Sequence, residues 1–352
     1  MAIAGVIDSD THVDETDDTW EYVDEKQYRP VGGTFPPGAG RKHYWEIEGF
    51  KRRRPDRDDV ITGTTVAQRE LLDVPSRIRH MDELGVETHV IYPTLFLQAS
   101  AVTPEGELAV TRGYNRWLAD KTRGSNGRLR WVFVPSPNNI EQSVEDMRWA
   151  RDQGACGVLK KGDGEAGHPV YDSYFFPLYE EAERLSMPIC MHTGSGRVAK
   201  ADDRVPAPTF PGMGGGTPMQ GVYELMANCV PANFKTLRFG AIEAGSSWIP
   251  LVAHGLSRGV AHSHLYHTEL PKELTFTENR VYIACELDEN IPMLLQYISE
   301  DNLLIGSDYS HHDVSNEIGF VAGLSELANR GTISSDVARK IMCDNPKAFY
   351  GL

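Results

Sequence analysis

Gly5-Val6-Ile7-Asp8-Ser9-Asp10-Thr11-His12 opens as a short apolar run and closes on two potential metal ligands set two residues apart. Runs of the same kind, bounded by turn signals, recur at residues 5–8, 88–92, 131–134, 157–160, 188–192, 236–242, 281–285 and 303–306. Near-continuous apolar runs of this length suit strands buried on both faces, as in a parallel sheet. Between them the apolar spacing turns helical, at residues 75–84, 107–123, 142–152, 176–185 and 317–329. Asn138-Asn139 precedes the third of these and reads as a capped helix start. Strands alternating with helices eight times over predict an α/β fold, a (β/α)8 TIM barrel. No break in composition marks a second domain, so residues 1–352 read as one metal-dependent barrel domain.

Two inserts interrupt the alternation. Residues 14–65 follow the first strand, with Trp20, Tyr22, Tyr28, Tyr44, Trp45 and the basic run Lys51-Arg52-Arg53-Arg54. Residues 194–218 follow the fifth strand like a lid and are rich in Gly and Pro, including Pro206, Pro208, Pro211 and Gly214-Gly215-Gly216. Long segments without regular structure in a compact domain usually serve as lids or binding loops. Both leave from C-terminal strand ends, the face where barrel enzymes do their chemistry. Their aromatic residues, Phe210 among them, predict an apolar pocket for a bulky organic acid.

Composition narrows the classes. The chain is 40% hydrophobic and 24% charged, as folded globular proteins are. A net charge of −15 argues against nucleic acid or an anionic membrane as partner. An anionic substrate would therefore need a local basic feature. No apolar stretch approaches the roughly 18 residues of a membrane span. The N-terminal residues lack the basic start and long apolar run of a signal peptide. The five cysteines, Cys156, Cys190, Cys229, Cys285 and Cys343, are scattered singly and read as reduced core thiols of a cytoplasmic protein.

The ionisable residues fall where the strands end. Asp10 and His12 share one side of an extended first strand, with Glu15 three positions on. His192 closes the fifth run, Glu243 follows the sixth, and Asp308 follows the eighth ahead of His311 and His312. Singly, each has an ordinary explanation as a turn residue, a buried histidine or a helix cap. At four strand ends of one barrel they converge on one mouth, and imidazole with carboxylate is the ligand set of zinc, manganese or non-haem iron. Lys160 and Lys161 end the fourth strand, but consecutive residues point opposite ways and a solvated Lys is an equally good reading. Glu286, after the seventh run, also comes near the mouth. His89, His254, His262, His264 and His267 read as structural or solvent-facing, and Trp248 as packing.

Four of these segments resemble the amidohydrolase superfamily: Ile7-Asp8-Ser9-Asp10-Thr11-His12-Val13, the strand-end His192, Glu243 with Trp248-Ile249-Pro250, and Gly306-Ser307-Asp308-Tyr309-Ser310-His311. More narrowly they resemble its amidohydrolase-related branch, which includes decarboxylases of aromatic and dienoic acids. The ending Asp344-Asn345-Pro346-Lys347-Ala348-Phe349-Tyr350-Gly351-Leu352 is similar to that branch's. The resemblance implies metal ligation by Asp10, His12, His192 and Asp308. It also implies a homo-oligomer, since members are often dimers or tetramers. Three departures stand out. The first-strand position that is His in the hydrolases is Asp10. The His found in decarboxylases three residues before the sixth-strand Glu is replaced by Gly240. Neither Lys160 nor Lys161 is assigned the part of the carboxylated Lys of the di-metal hydrolases.

Asp10, Glu15, Glu243 and Asp308 with His12, His192 and His311 make seven potential ligands, enough for two metals at three or four each. Oxygen-rich ligation fits iron or manganese better than zinc. The pattern in residues 10–15 and 307–311 also resembles a small subgroup of barrel-fold non-haem di-iron oxygenases, some acting on coenzyme A thioesters. The expectation is therefore a two-iron monooxygenase hydroxylating a bulky organic acid or its coenzyme A thioester. Lys51 to Arg54 are candidate contacts for the carrier's phosphates, set against a solvated patch beside Asp56, Asp58 and Asp59. The alternative is a hydrolase or decarboxylase in which one zinc or manganese polarises the substrate or a water and Asp308 or Glu243 moves the proton. A barrel that binds without turnover is a third class, and the density of ligands at the strand ends argues against it.

Overall fold

The computed structural model describes residues 4–37, 42–99, 101–196, 216–266, 274–312 and 314–352. Its first strand, β1, spans Ile7–His12 and is buried throughout, so strand pairing continues through the acids and carries His12 to its end. In the insert after it stand β2 (Val31–Thr34), β3 (His43–Ile47) and β4 (Phe50–Arg54). The barrel continues as β5 (Thr88–Tyr92), β6 (Leu129–Phe133), β7 (Ala155–Lys160), β8 (Ile189–His192), β9 (Phe239–Ile242), β10 (Val281–Cys285) and β11 (Leu303–Ile305). The order β1-β5-β6-β7-β8-β9-β10-β11 is parallel at every pairing. The ends meet just beyond β11, where the His12 N–H donates to Tyr309 O at 2.9 Å and the Asp308 N–H to Asp10 O at 3.0 Å. That closure lays the Asp308 segment directly against Asp10 and His12.

The crossovers are α1 (Val74–Leu84), α2 (Pro104–Thr122), α3 (Ile140–Asp152), α4 (Phe176–Arg184), α5 (Gly216–Ala227), α6 (Ile249–Ala261), α7 (Ile291–Leu294) and α8 (Phe320–Asn329), with α9 (Asn345–Tyr350) last. Their ends follow ordinary capping chemistry. Asp73 accepts from Ser76 N and Thr103 from Gly106 N, satisfying first-turn donors. Asn139 differs from the expected side-chain cap: it starts α3 without a capping bond, and its Nδ2 donates to Pro104 O, tying the starts of α2 and α3 together. From α9, the Tyr350 hydroxyl reaches in to donate to Ser9 O at 2.7 Å. Among the described residues no helix is long and apolar enough to cross a membrane.

The first insert is not the irregular loop expected of it. β2, β3 and β4 form an antiparallel sheet. Its tight turn is Glu48-Gly49, with φ of 49° and 81°, the backbone of a type I′ hairpin. Glu48 tolerates this conformation because its carboxylate is held by the Val102 and Thr103 N–H groups. Trp20 and Trp45, both buried, meet edge to face at 5.6 Å, and Trp20 meets Phe96 at 6.4 Å, so the insert is packed onto the barrel. Such aromatic pairs add about 0.5–1.5 kcal/mol beyond the area they bury. Of the second insert, residues 197–215, with Phe210, lie outside the described residues, as does His267.

Candidate metal centre

Four strand ends bring six of the seven expected ligands together. They form two overlapping groups, Asp10 with His12, His192 and Glu243, and His12 with Glu243, Asp308 and His311. Within each, one donor atom per residue lies within 4.8 Å of the others. His12 Nε2 is 3.2 Å from Asp10 Oδ1 and 3.3 Å from Asp308 Oδ1. His192 places Nε2 3.3 Å from Asp10 and Nδ1 3.3 Å from Glu243. His311 Nδ1 is 2.7 Å from Asp308 Oδ1 and 3.6 Å from Glu243 Oε1. The His311 ring stacks on His12 at 3.7 Å. His312 is exposed.

The geometry tests whether a cation fits. His12 Nδ1 lies 2.9 Å from Pro93 O and His192 Nδ1 lies 3.0 Å from Thr193 O. A carbonyl only accepts, so each Nδ1 carries the proton, and a neutral ring turns its Nε2 lone pair toward carboxylate oxygens. Lone pair against carboxylate is repulsive unless a cation or proton lies between them. This backbone-fixed tautomer is also how histidine ligands are held for a metal. Burial holds the His12 and His311 imidazoles below their usual range. Burial also opposes charge on His192, but the Asp10 and Glu243 carboxylates overcome it and raise that ring to about 9. The field that attracts a proton there attracts a metal ion equally. The donor set suits a divalent ion.

Backbone strain is concentrated at the same place. Glu243, Asp308 and Ser310 are non-glycine residues with φ of 50°, 49° and 84°, each costing on the order of 1–3 kcal/mol. The surroundings that impose it were not foreseen in the sequence. Arg57, buried and 2.7 Å from Asp14, donates to Ser310 O and to Thr94 Oγ1. Behind β1, the fully buried Arg77 donates to His12 O at 2.8 Å and Thr11 Oγ1 at 3.0 Å, and lies 3.3 Å from His89 Nδ1. His89 is therefore structural, as read, and His254, His262 and His264 are exposed.

Other expectations need correcting. Glu15 does not join the cluster: its carboxylate is spent on the Thr94 and Leu95 N–H groups at 2.9–3.1 Å. Glu286 lies outside both groups, its carboxyl near Gly245. Lys160 and Lys161 are buried, not solvated. Gly240 faces Phe349 of α9, where a Cβ would come within 2.4 Å of the ring. A side chain there would run into that ring, so this strand position holds no His for a steric reason. In the basic run, Lys51 lies over Tyr44 at 4.3 Å and Arg54 over Trp45 at 4.5 Å, so these cations cover aromatic rings. Trp248 packs on the core, and all five cysteines are free thiols.

The family model described as Amidohydrolase matches residues 7–352. The chain belongs to the amidohydrolase family. A search of curated proteins found no match. Among solved structures, an amidohydrolase from Mycobacterium avium subsp. paratuberculosis K-10 superposes with a TM-score of 0.74 at 21% identity, covering 99% of both chains. A dihydroxybenzoic acid decarboxylase from Polaromonas sp. JS666, with bound manganese and 2-nitroresorcinol, gives 0.66 at 17%, covering 99% of this chain and 98% of its own. The 5-carboxyvanillate decarboxylase from Sphingomonas paucimobilis gives 0.64 at 15%, covering 82% and 85%. At these identities the likeness is one of fold. Manganese is bound in the Polaromonas structure, and in this chain the clustered residues could hold a metal ion. The iron pair and the oxygenase expected from the surplus of carboxylates find no support here.

Proposed function

We propose that this amidohydrolase removes the carboxyl group of a small aromatic acid, using one divalent ion, manganese or zinc, held by Asp10, His12 and His192 with Asp308 or Glu243. The observation that carries the reading is the pair of buried imidazoles whose tautomers are fixed by Pro93 O and Thr193 O so that both Nε2 atoms face Asp10. The solved structures of aromatic-acid decarboxylases on this fold support the reaction class. A bound divalent ion would act as a Lewis acid toward the substrate's oxygens.

The chain's own residues supply the rest. Decarboxylation breaks a C–C bond, CO2 departs, and the electron pair left on carbon must take up a proton. His311 Nδ1 and Asp308 Oδ1, 2.7 Å apart, form the pair that can hold and deliver that proton. Arg57 keeps the pair in place by clamping Ser310 O and Thr94 Oγ1.

The test is CO2 release from a panel of hydroxybenzoic acids by protein supplied with manganese or zinc. CO2 release that stops on chelation and returns with the ion is expected. Oxygen consumption with reductant, or hydrolysis of amides without CO2, would reject the reaction. A second reading, two divalent ions in place of one, is favoured by the two overlapping groups sharing His12 and Glu243. Ions counted per chain separate the two.

A further inference from the structure

Glu243 is the first residue beyond β9, and its carboxylate lies 3.3 Å from His192 Nδ1 and 3.6 Å from His311 Nδ1. Its backbone is left-handed, with φ of 50°, and Gly245 two residues on is left-handed as well, at 58°. A glutamate keeps such a conformation only where its surroundings over-determine it. Side chains grip this turn from several elements. The Thr193 hydroxyl, beside His192, donates to Glu243 O. The Trp248 indole N–H donates to Ala244 O at 3.1 Å. On the far side stands Glu289, from the loop after β10. Its Oε1 accepts the Ser246 and Ser247 N–H groups at 2.7 and 2.5 Å, and its Oε2 accepts the Ser246 hydroxyl at 2.5 Å.

The Glu289 carboxylate is also fixed from its own side. Oε2 accepts the Glu286 N–H at 3.0 Å, and the next residue's N–H, from Leu287, donates to Glu317 Oε2 at 3.0 Å. The carboxylate lies close over the turn, since a Cβ on Gly245 would come within 3.3 Å of Oε1. Glu289 stands outside both ligand groups, and the chemistry above does not use it. We propose that Glu289 is a positioning residue for the metal centre: by holding Ser246 and Ser247 it keeps Glu243 left-handed and sets where the Glu243 carboxylate meets the ion. Removing outer partners of a metal site typically weakens metal binding or activity about 10- to 100-fold. This role rests on the metal reading and takes Glu243 as one of the ligands.

A tie between two loops that served stability alone would lower thermal stability in the same way, so the test is a double-mutant cycle read by manganese affinity. Manganese is titrated into wild type, Glu289→Ala, Glu243→Gln and the double variant. Glu289→Ala is expected to weaken manganese binding about tenfold in the wild-type background. In the Glu243→Gln background it should weaken binding by less than about twofold, because its effect passes through Glu243. If the alanine variant does not fold, Glu289→Gln, which turns a donor toward the Ser246 and Ser247 N–H groups, is expected to show the same pattern. A loss of equal size in both backgrounds, or no loss in either, overturns the proposal with the metal reading left standing. Wild type that binds no manganese removes that reading and the proposal with it.

Discussion

At the ends of β1, β8 and β9 and just past β11, the barrel buries Asp10, Glu243 and Asp308 among three imidazoles; at the end of β7 it buries two ammonium groups around Glu165. The first gathers carboxylates and imidazoles, whereas the second pairs its ammonium groups with Glu165 beside the carboxylates of Glu107 and Asp163. The first suits a metal cation, and the second is an ion-paired part of the interior.

The comparison can be broken from either side. Glu165→Gln would leave Lys160 and Lys161 without the carboxylate they share, and should cost about 3–5 kcal/mol in denaturant unfolding. An unchanged midpoint would mean that the ammonium pair is balanced by something else. His192→Ala should weaken metal binding about a hundredfold or more by direct titration, near 2.7 kcal/mol, with the circular dichroism unchanged. Metal affinity should also fall about tenfold for each pH unit below 9, because a metal must displace the proton that the carboxylates hold on His192. Affinity constant from pH 6 to 8.5 would show that His192 is not protonated in the way its neighbours require.

The effect expected at Glu15 is on stability and its pH dependence, with none on the metal. Glu15→Gln should leave metal content unchanged and alter stability by about 1 kcal/mol at pH 5. Burial raises its carboxyl in the folded protein from 4.5 to about 7. The stability this contributes is complete below 4.5 and is lost as pH rises through 7. The glutamine variant should therefore gain on wild type between pH 5 and 8, by thermal unfolding. Loss of a metal ion in this variant would return Glu15 to the ligands.

What was legible in the sequence followed from local pattern. Apolar runs mark strands buried on both faces, and a ligand at a strand end needs no other information to be placed at the barrel mouth. On that ground Asp10, His12, His192 and Glu243 were expected to lie together, as they do, and Asp308 and His311 reach the same point through the segment after β11. Glu15 misled because the chain has left the strand by then, and its carboxylate turns to the backbone after β5. Arg57 was out of reach because its place depends on how the insert packs, through Trp20, Trp45 and Phe96. The hairpin of that insert was hidden by its turn, where Glu stands in place of the usual Asn or Asp and is supported only by tertiary bonds to residues 102 and 103. Lys161 looked solvated because nothing in its neighbours along the chain predicts that Glu165 would be buried with it.

The central claim is a buried cation site on this barrel, and elemental analysis of the protein purified without chelator from manganese- and zinc-supplemented medium tests it most directly. One manganese or zinc ion per chain is the predicted result. A chain that folds and retains no metal, or that holds two iron atoms, would contradict the account.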